Sequence, residues 1–136
     1  MFGHGRCREG AIHPLPRKDT PMVDPENYSC LEACQACQVA CLQCAAACLE
    51  EEDPGTMKDC IKLDLDCAAV CALAAEAMAR DSDFVLAVCA LCADICDACA
   101  DECEQYDMEH CEACTEACRR CADACREMVG DVEEED

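Results

Sequence analysis

Large rings and basic side chains are scarce in this 136-residue chain. Two Phe, two Tyr and no Trp cannot build an aromatic core. Residues of the AVILMFWYC class still reach 53%, because Ala and 20 Cys supply them, so the core must be made of small side chains and sulfur. Ten Lys and Arg stand against 31 Asp and Glu, a net charge of -21. That balance leaves no basic patch for nucleic acid or for an anionic membrane surface, and neither partner is expected.

Long apolar runs are missing as well. No segment approaches the roughly 18 continuous apolar residues of a membrane span. The N-terminal stretch MFGHGRCREGAIHPLPRK lacks the apolar stretch of a secretory signal, so a cytoplasmic setting is expected. Paired catalytic carboxylates, a nucleotide loop and a nucleophile-His arrangement are all lacking above chance, and no enzyme is expected. The length fits one domain with tails.

What is present is cysteine at helical spacing. Asp24 before Pro25 and Glu26 reads as an N-cap with proline in the first turn, and Asp53-Pro54-Gly55 as a stop, giving a first helix over about 25 to 52. Thr56 with Asp59 resembles a capping box for a second helix running to about Arg80. Asp81 and Ser82 offer caps for a third, ending near Tyr106. Asp107 offers one for a fourth, stopped at Gly130. Four helices joined by short turns predict an all-α, antiparallel up-down-up-down four-helix bundle over 25–130. Residues 1–24 read as a loosely ordered arm and 131–136 as a frayed acidic tail.

In CLEACQACQVACLQCAAAC, residues 30–48, six cysteines are separated by 4, 3, 4, 3 and 4, the positions a bundle turns toward its axis. The alternation recurs in the third and fourth helices, and the second keeps it with fewer cysteines. Antiparallel alignment predicts six layers. From one end they are Cys30, Met78, Val85, Met128; Cys34, Ala74, Cys89, Cys125; Cys37, Cys71, Cys92, Cys121; Cys41, Cys67, Cys96, Cys118; Cys44, Asp64, Cys99, Cys114; and Cys48, Cys60, Cys103, Cys111. Every cysteine but Cys7 falls in this core.

A core using Cys only as a small hydrophobe is disfavoured, since Ala or Val fills the space without the oxidation hazard. Disulfides along one helix fail on geometry. Residues three or four apart hold their Cβ atoms about 5 to 6 Å apart, and a disulfide needs about 3.5 to 4.5 Å. Metal binding survives, and soft thiolates exclude Mg(II) and Ca(II). Iron-sulfur motifs usually place Cys in loops, and structural zinc wants only four ligands per ion.

Cu(I) fits best, because two sulfurs one turn apart both reach an ion that accepts low coordination. The CxxxC pairs Cys30/Cys34, Cys37/Cys41, Cys44/Cys48, Cys67/Cys71, Cys92/Cys96, Cys99/Cys103, Cys114/Cys118 and Cys121/Cys125 are such chelates. A buried thiol is neutral, and exchanging H+ for Cu+ keeps it so, whereas Zn(II) on four thiolates leaves two negative charges inside. A zinc or mixed-metal sequestering protein and a thiol redox buffer remain the alternatives.

On these repeated pairs, residues 25–129 resemble the bacterial copper storage proteins of the cytosolic type. The resemblance implies a Cys-lined bundle that stores many Cu(I) ions along its axis, usually as a homotetramer, and is not an enzyme. The second helix departs from the pattern at Asp64 and Ala74.

The two ends of the tube differ. Met78, Val85 and Met128 read as an apolar plug. Beyond the sixth layer, Met57, Met108 and His110 form a candidate relay that takes ions from solvent or a copper chaperone, with a helix-terminus role as the other reading of His110. Asp64 has three open roles: ligation, accepting a thiol proton, or leaning outward. Val39, Leu42, Ala46 and Leu49 on the first helix, and Ile61, Leu65, Ala68, Ala72 and Ala75 on the second, form further apolar stripes that suggest subunit contacts. His4 and Cys7, with His13, sit in the Pro-rich arm.

Overall fold

The structure, a computed structural model, describes residues 25–134. The arm of residues 1–24 lies outside them, with His4, Cys7 and His13, as do residues 135 and 136. Four helices make up the described chain: α1 (Pro25–Leu49), α2 (Lys58–Arg80), α3 (Val85–Cys103) and α4 (Glu109–Glu134). A short 3-10 turn, Pro54–Met57, precedes α2, and no strand occurs among the described residues. Consecutive helices are neighbours around a square, α4 closes against α1, and the diagonal pairs keep their backbones apart. With short connections, this is the antiparallel up-down-up-down bundle.

The ends of the helices differ from the sequence reading in instructive ways. The capping box at Thr56 does not form: its hydroxyl donates to the Asp53 carbonyl at 2.9 Å, inside the 3-10 turn, and α2 starts without a side-chain cap. Pro54 sets that turn, which moves Thr56 out of the capping position. Asp81 ends α2 instead of starting α3. It adopts the left-handed conformation at φ 57, while the Ser82 N–H reaches the Ala77 carbonyl at 2.9 Å, the wrapped C-terminal motif usually built on Gly. Ser82 Oγ then accepts the Phe84 N–H at 3.0 Å just ahead of α3.

Two helices stop short of their expected ends because the chain tightens. Glu50 and Glu51 donate to Ala47 and Cys48 at 3.0 and 3.2 Å, and Gln105 and Tyr106 donate to Glu102 and Cys103 at 3.2 and 3.1 Å. These bonds to the third residue back close α1 and α3 as 3-10 turns. Gly130 stops nothing. Its φ is not positive, a Cβ there would meet nothing within 4 Å, and α4 runs on to Glu134.

The core is sulfur flanked by methyl groups. All nineteen cysteines from Cys30 to Cys125 are buried, and Ala93, Ala100 and Ala122 fill the seams between helices. Ala68 and Ala75 from the second α2 stripe are also consumed inside the chain, although Leu65 stays out. On α1 the stripe remains unburied, with Val39 52%, Leu42 45% and Leu49 58% exposed. Between α3 and α4, Arg119 bonds Asp101 and Glu104 at 3.0 Å each and Arg126 bonds Asp97 at 2.6 Å, offsetting acidic repulsion on that face.

Only Asp81 among the described non-glycine residues has positive φ. Asp81→Gly is expected to hold or raise the thermal midpoint of the metal-free protein, and Asp81→Val to cost about 1–2 kcal/mol, since a β-branched residue resists this conformation. Thermal melts followed by circular dichroism check both.

Candidate metal centre

Each seam cysteine sends its Sγ to the bundle axis, where it meets sulfur. Neighbouring helices touch at Cys60–Cys103 (3.4 Å), Cys67–Cys96 (3.5 Å) and Cys71–Cys92 (3.7 Å). Diagonal helices meet across the axis as well, through Cys37–Cys96 and Cys67–Cys118 at 3.9 Å each. A metal–thiolate bond of about 2.3 Å puts two sulfurs on one ion roughly 3.7 to 4.0 Å apart at tetrahedral or trigonal angles. The thiols therefore already stand near the spacing that shared ions require.

Helices α2, α3 and α4 keep the predicted layers, and α1 sits between its predicted layer and the next: Cys34 meets Cys125 at 3.9 Å and Cys41 meets Cys118 at 3.8 Å, as expected. The helix is also displaced toward the His110 end by part of a layer, so that Cys37 lies 3.7 Å from both Cys67 and Cys118, and Cys41 lies 3.7 Å from Cys114. Cys30 likewise meets Cys125 at 3.7 Å, and Cys44 meets Cys111 at 3.9 Å. The α1–α2 connection, residues 50–57, is longer than the turns at 81–84 and 104–108, so α1 is free to slide where equal turns would have pinned it.

This slide staggers the sulfurs into four-thiol groups that straddle layers. Cys34, Cys92, Cys121 and Cys125 form one group, and Cys37, Cys41, Cys67 and Cys118 another. Cys37, Cys71, Cys96 and Cys121 form a third, Cys41, Cys99, Cys114 and Cys118 a fourth, and Cys44, Cys48, Cys60 and Cys111 a fifth. Within each group the ligand atoms lie within 4.8 Å of one another. Cys37, Cys41, Cys118 and Cys121 each belong to two groups, so the first four groups are links of one chain, and the fifth meets that chain through Cys103, which lies 3.4 Å from Cys60 and 4.0 Å from Cys99. Cys30 meets Cys125 of the first link at 3.7 Å, and Cys89 is buried in the same core.

Asp64 points inward and is fully buried. Its Oδ1 accepts S–H groups from Cys99 (3.2 Å), Cys114 (3.3 Å) and Cys103 (3.6 Å), and Oδ2 accepts from Cys60 at 3.8 Å. Outward leaning is ruled out. Burial first, then the proximity of Cys114 and Cys99, pushes its carboxyl up to about 10.

At the mouth, His110 Nδ1 faces Cys44 and Cys111 at 3.6 Å and Cys48 at 3.9 Å, while Nε2 meets Glu51 Oε2 at 3.0 Å. Burial, then the charge of nearby Cys60, raises Cys111 to about 11, and burial raises Cys48 too. Met57 is buried, Met108 and Tyr106 are half-buried against the core, and the Tyr106 hydroxyl donates to Glu102 at 2.8 Å. Met57 thus lies beneath the rim, and Met108 and His110 are the more exposed members of the candidate relay. The opposite end is closed by buried Met78 with half-buried Val85 and Met128. Sequence reasoning missed Glu51, although it stands three residues after Cys48 and so continues the α1 seam.

Because Asp64 holds its proton more tightly folded than unfolded, the folded chain binds more protons between about pH 4 and 10, and stability falls as pH rises through that window. Asp64→Asn removes this term. Urea midpoints of the reduced, metal-free variant are expected to rise relative to the native chain from pH 5 to 8, steps chosen inside that window.

Comparison with known proteins gives consistent matches. The family model described as "Copper storage protein" matches residues 24–130. An uncharacterized cysteine-rich protein of Bacillus subtilis (strain 168), YhjQ, is 51% identical over 72 residues, covering 52% of this chain and 67% of that one. The structure of the Cu(I)-bound copper storage protein BsCsp3 is 49% identical with a TM-score of 0.74, covering 76% of this chain and 98% of that chain. The cytosolic copper storage protein from Streptomyces lividans, solved with five coppers, is 39% identical with a TM-score of 0.76, covering 78% and 93%. With a family match over most of its length and a thiol-filled bundle axis, this chain belongs to the copper storage protein family.

Proposed function

We propose that the chain stores Cu(I), holding many ions through the thiolates of the nineteen core cysteines, in a reducing, cytosolic compartment. The observation that carries the reading is the sharing of thiols between successive four-sulfur groups. A structural zinc ion closes around four ligands, whereas a continuous row of shared sulfurs suits a low-coordinate ion that needs fewer thiolates and can be bridged along the axis. Electrostatics points the same way. Each Cu+ replaces the proton of a thiol in a site that excludes water, so the filled core gathers no charge, while every Zn(II) on four thiolates adds two negative charges to it. A core of free thiols also persists only where disulfides are not formed, which fits the cytosol.

Ions enter at the His110 end, passed by Met57, Met108 and His110 to the outermost thiols, with Asp64 as the first oxygen they meet inside. A Cu(I) chaperone is the natural donor. The exposed Val39, Leu42 and Leu49 on α1 provide an apolar surface for assembly as a homotetramer. Storage asks for no chemical turnover, and the reading gives the chain no role as an enzyme.

An anaerobic titration of fully reduced protein with Cu(I), against a competing chromophoric chelator, is expected to count tightly held ions approaching the nineteen core cysteines. It should release about one proton per thiolate formed, and Zn(II) run in parallel should be displaced. A handful of ions, or a preference for zinc, would falsify the reading. Replacing Met57, Met108 and His110 together is expected to slow uptake and release while leaving capacity intact. Stopped-flow transfer to and from the chelator measures both, and unchanged rates would sink the relay.

A further inference from the structure

We propose that Glu51 is a positioning residue for Cu(I) transfer: it fixes the ring of His110 so that an unprotonated Nδ1 faces the outermost thiols. The inference rests on the Cu(I)-store reading and adds to it a residue and a tautomer. A carboxylate oxygen accepts hydrogen bonds and does not donate them. The 3.0 Å contact between Glu51 Oε2 and His110 Nε2 therefore places the hydrogen of a neutral ring on Nε2. Nδ1 keeps its lone pair, aimed at Cys44 and Cys111 at 3.6 Å and at Cys48 at 3.9 Å.

Those three sulfurs belong, with Cys60, to the four-thiol group nearest the mouth. With the ring neutral in this tautomer, an arriving Cu(I) ion meets a free nitrogen lone pair next to thiols that must each lose a proton. Carboxylate–histidine pairing of this kind orients ring ligands in metal sites generally.

The backbone holds Glu51 for this task. Its N–H donates to the Cys48 carbonyl at 3.2 Å, so the tight turn that ends α1 carries the carboxylate to the level of His110 in the first turn of α4. The displacement of α1 toward the mouth brings it there. A plain surface ion pair would tether the same two elements, but it would have no need for the other ring nitrogen to point into the sulfur core. His110 is 21% exposed and Glu51 34%, so the pair sits at the rim, where incoming ions pass.

The test uses the full-length, reduced chain labelled with 15N-histidine. It contains three histidines, and His110→Gln identifies the relevant signal. Long-range 1H–15N spectra of the metal-free protein are expected to report the Nε2–H tautomer at His110. Glu51→Ala should mix the tautomers and slow the first phase of Cu(I) uptake by about tenfold, the low end for loss of such a partner because the pair is partly exposed, with capacity unchanged. Glu51→Gln keeps an acceptor oxygen and should restore both tautomer and rate. An unaltered tautomer and rate in Glu51→Ala overturns the proposal, as does a Glu51→Gln as slow as Glu51→Ala, which would assign the effect to charge. Capacity of the native chain separates this failure from that of the storage reading: a chain holding only a few ions defeats storage whatever Glu51 does.

Discussion

Sulfur packed against sulfur along one axis is the constraint on which the rest of the molecule depends. A cysteine reaches the axis with a single heavy atom beyond Cβ, so four helices must close tightly for their thiols to touch at 3.4 to 4.0 Å. Close approach in turn requires Ala in the seams, at Ala93, Ala100 and Ala122, and leaves no room for the rings that the composition lacks. The same closeness excludes water. A thiol in that setting is a small hydrophobe until a metal takes its proton, so one side chain serves as core and as binding site.

Asp64 is the exception that shows how far the constraint bends. A carboxylate in the middle of a hydrophobic bundle would be costly if charged and unpartnered. Here four S–H groups surround it and its proton is held to about pH 10, so the layer stays neutral. It also places an oxygen one layer inside the mouth, where the neighbouring ligands are thiols. Neutrality is thus preserved in the metal-free core by protons on sulfur and on Asp64 alike, and any ion that enters must displace some of them.

Much of this was legible in the residues. The alternation of threes and fours marks the faces turned inward, and it places all nineteen core cysteines and Met78 in the interior, whereas Met57, expected at the entrance, is buried as well. Register was legible for three helices and not for α1, because period says which face is inward and nothing about how far a helix slides along its neighbours. That depends on the length of the connection at 50–57. Caps were the weakest reading. Thr56, Asp81 and Ser82 have side chains that bond local backbone in several ways, and the choice among them was made by Pro54 and by the tight turn after α2. Glu51 was missed for a different reason: it continues the α1 seam three residues after Cys48, but a glutamate at a helix end among so many acids signals no role until His110 is placed opposite it.

Direction along the tube follows from its ends, since the interior repeats. At the Met78 end, buried apolar side chains offer neither an exchangeable proton nor a path for the proton that each ion must expel. At the His110 end the outermost thiols are bounded by an imidazole, two thioethers and a carboxylate that reaches solvent. In the proposed reading, metal inward and protons outward are coupled flows through one opening. The slide of α1 matters for that reason: it sets Cys48 against His110, brings Glu51 to the rim, and staggers the thiols so that a sulfur bound to one ion already touches the site of the next. On the same reading, an ion within the four linked groups moves inward by exchanging one ligand at a time, because each step keeps a sulfur that both groups hold.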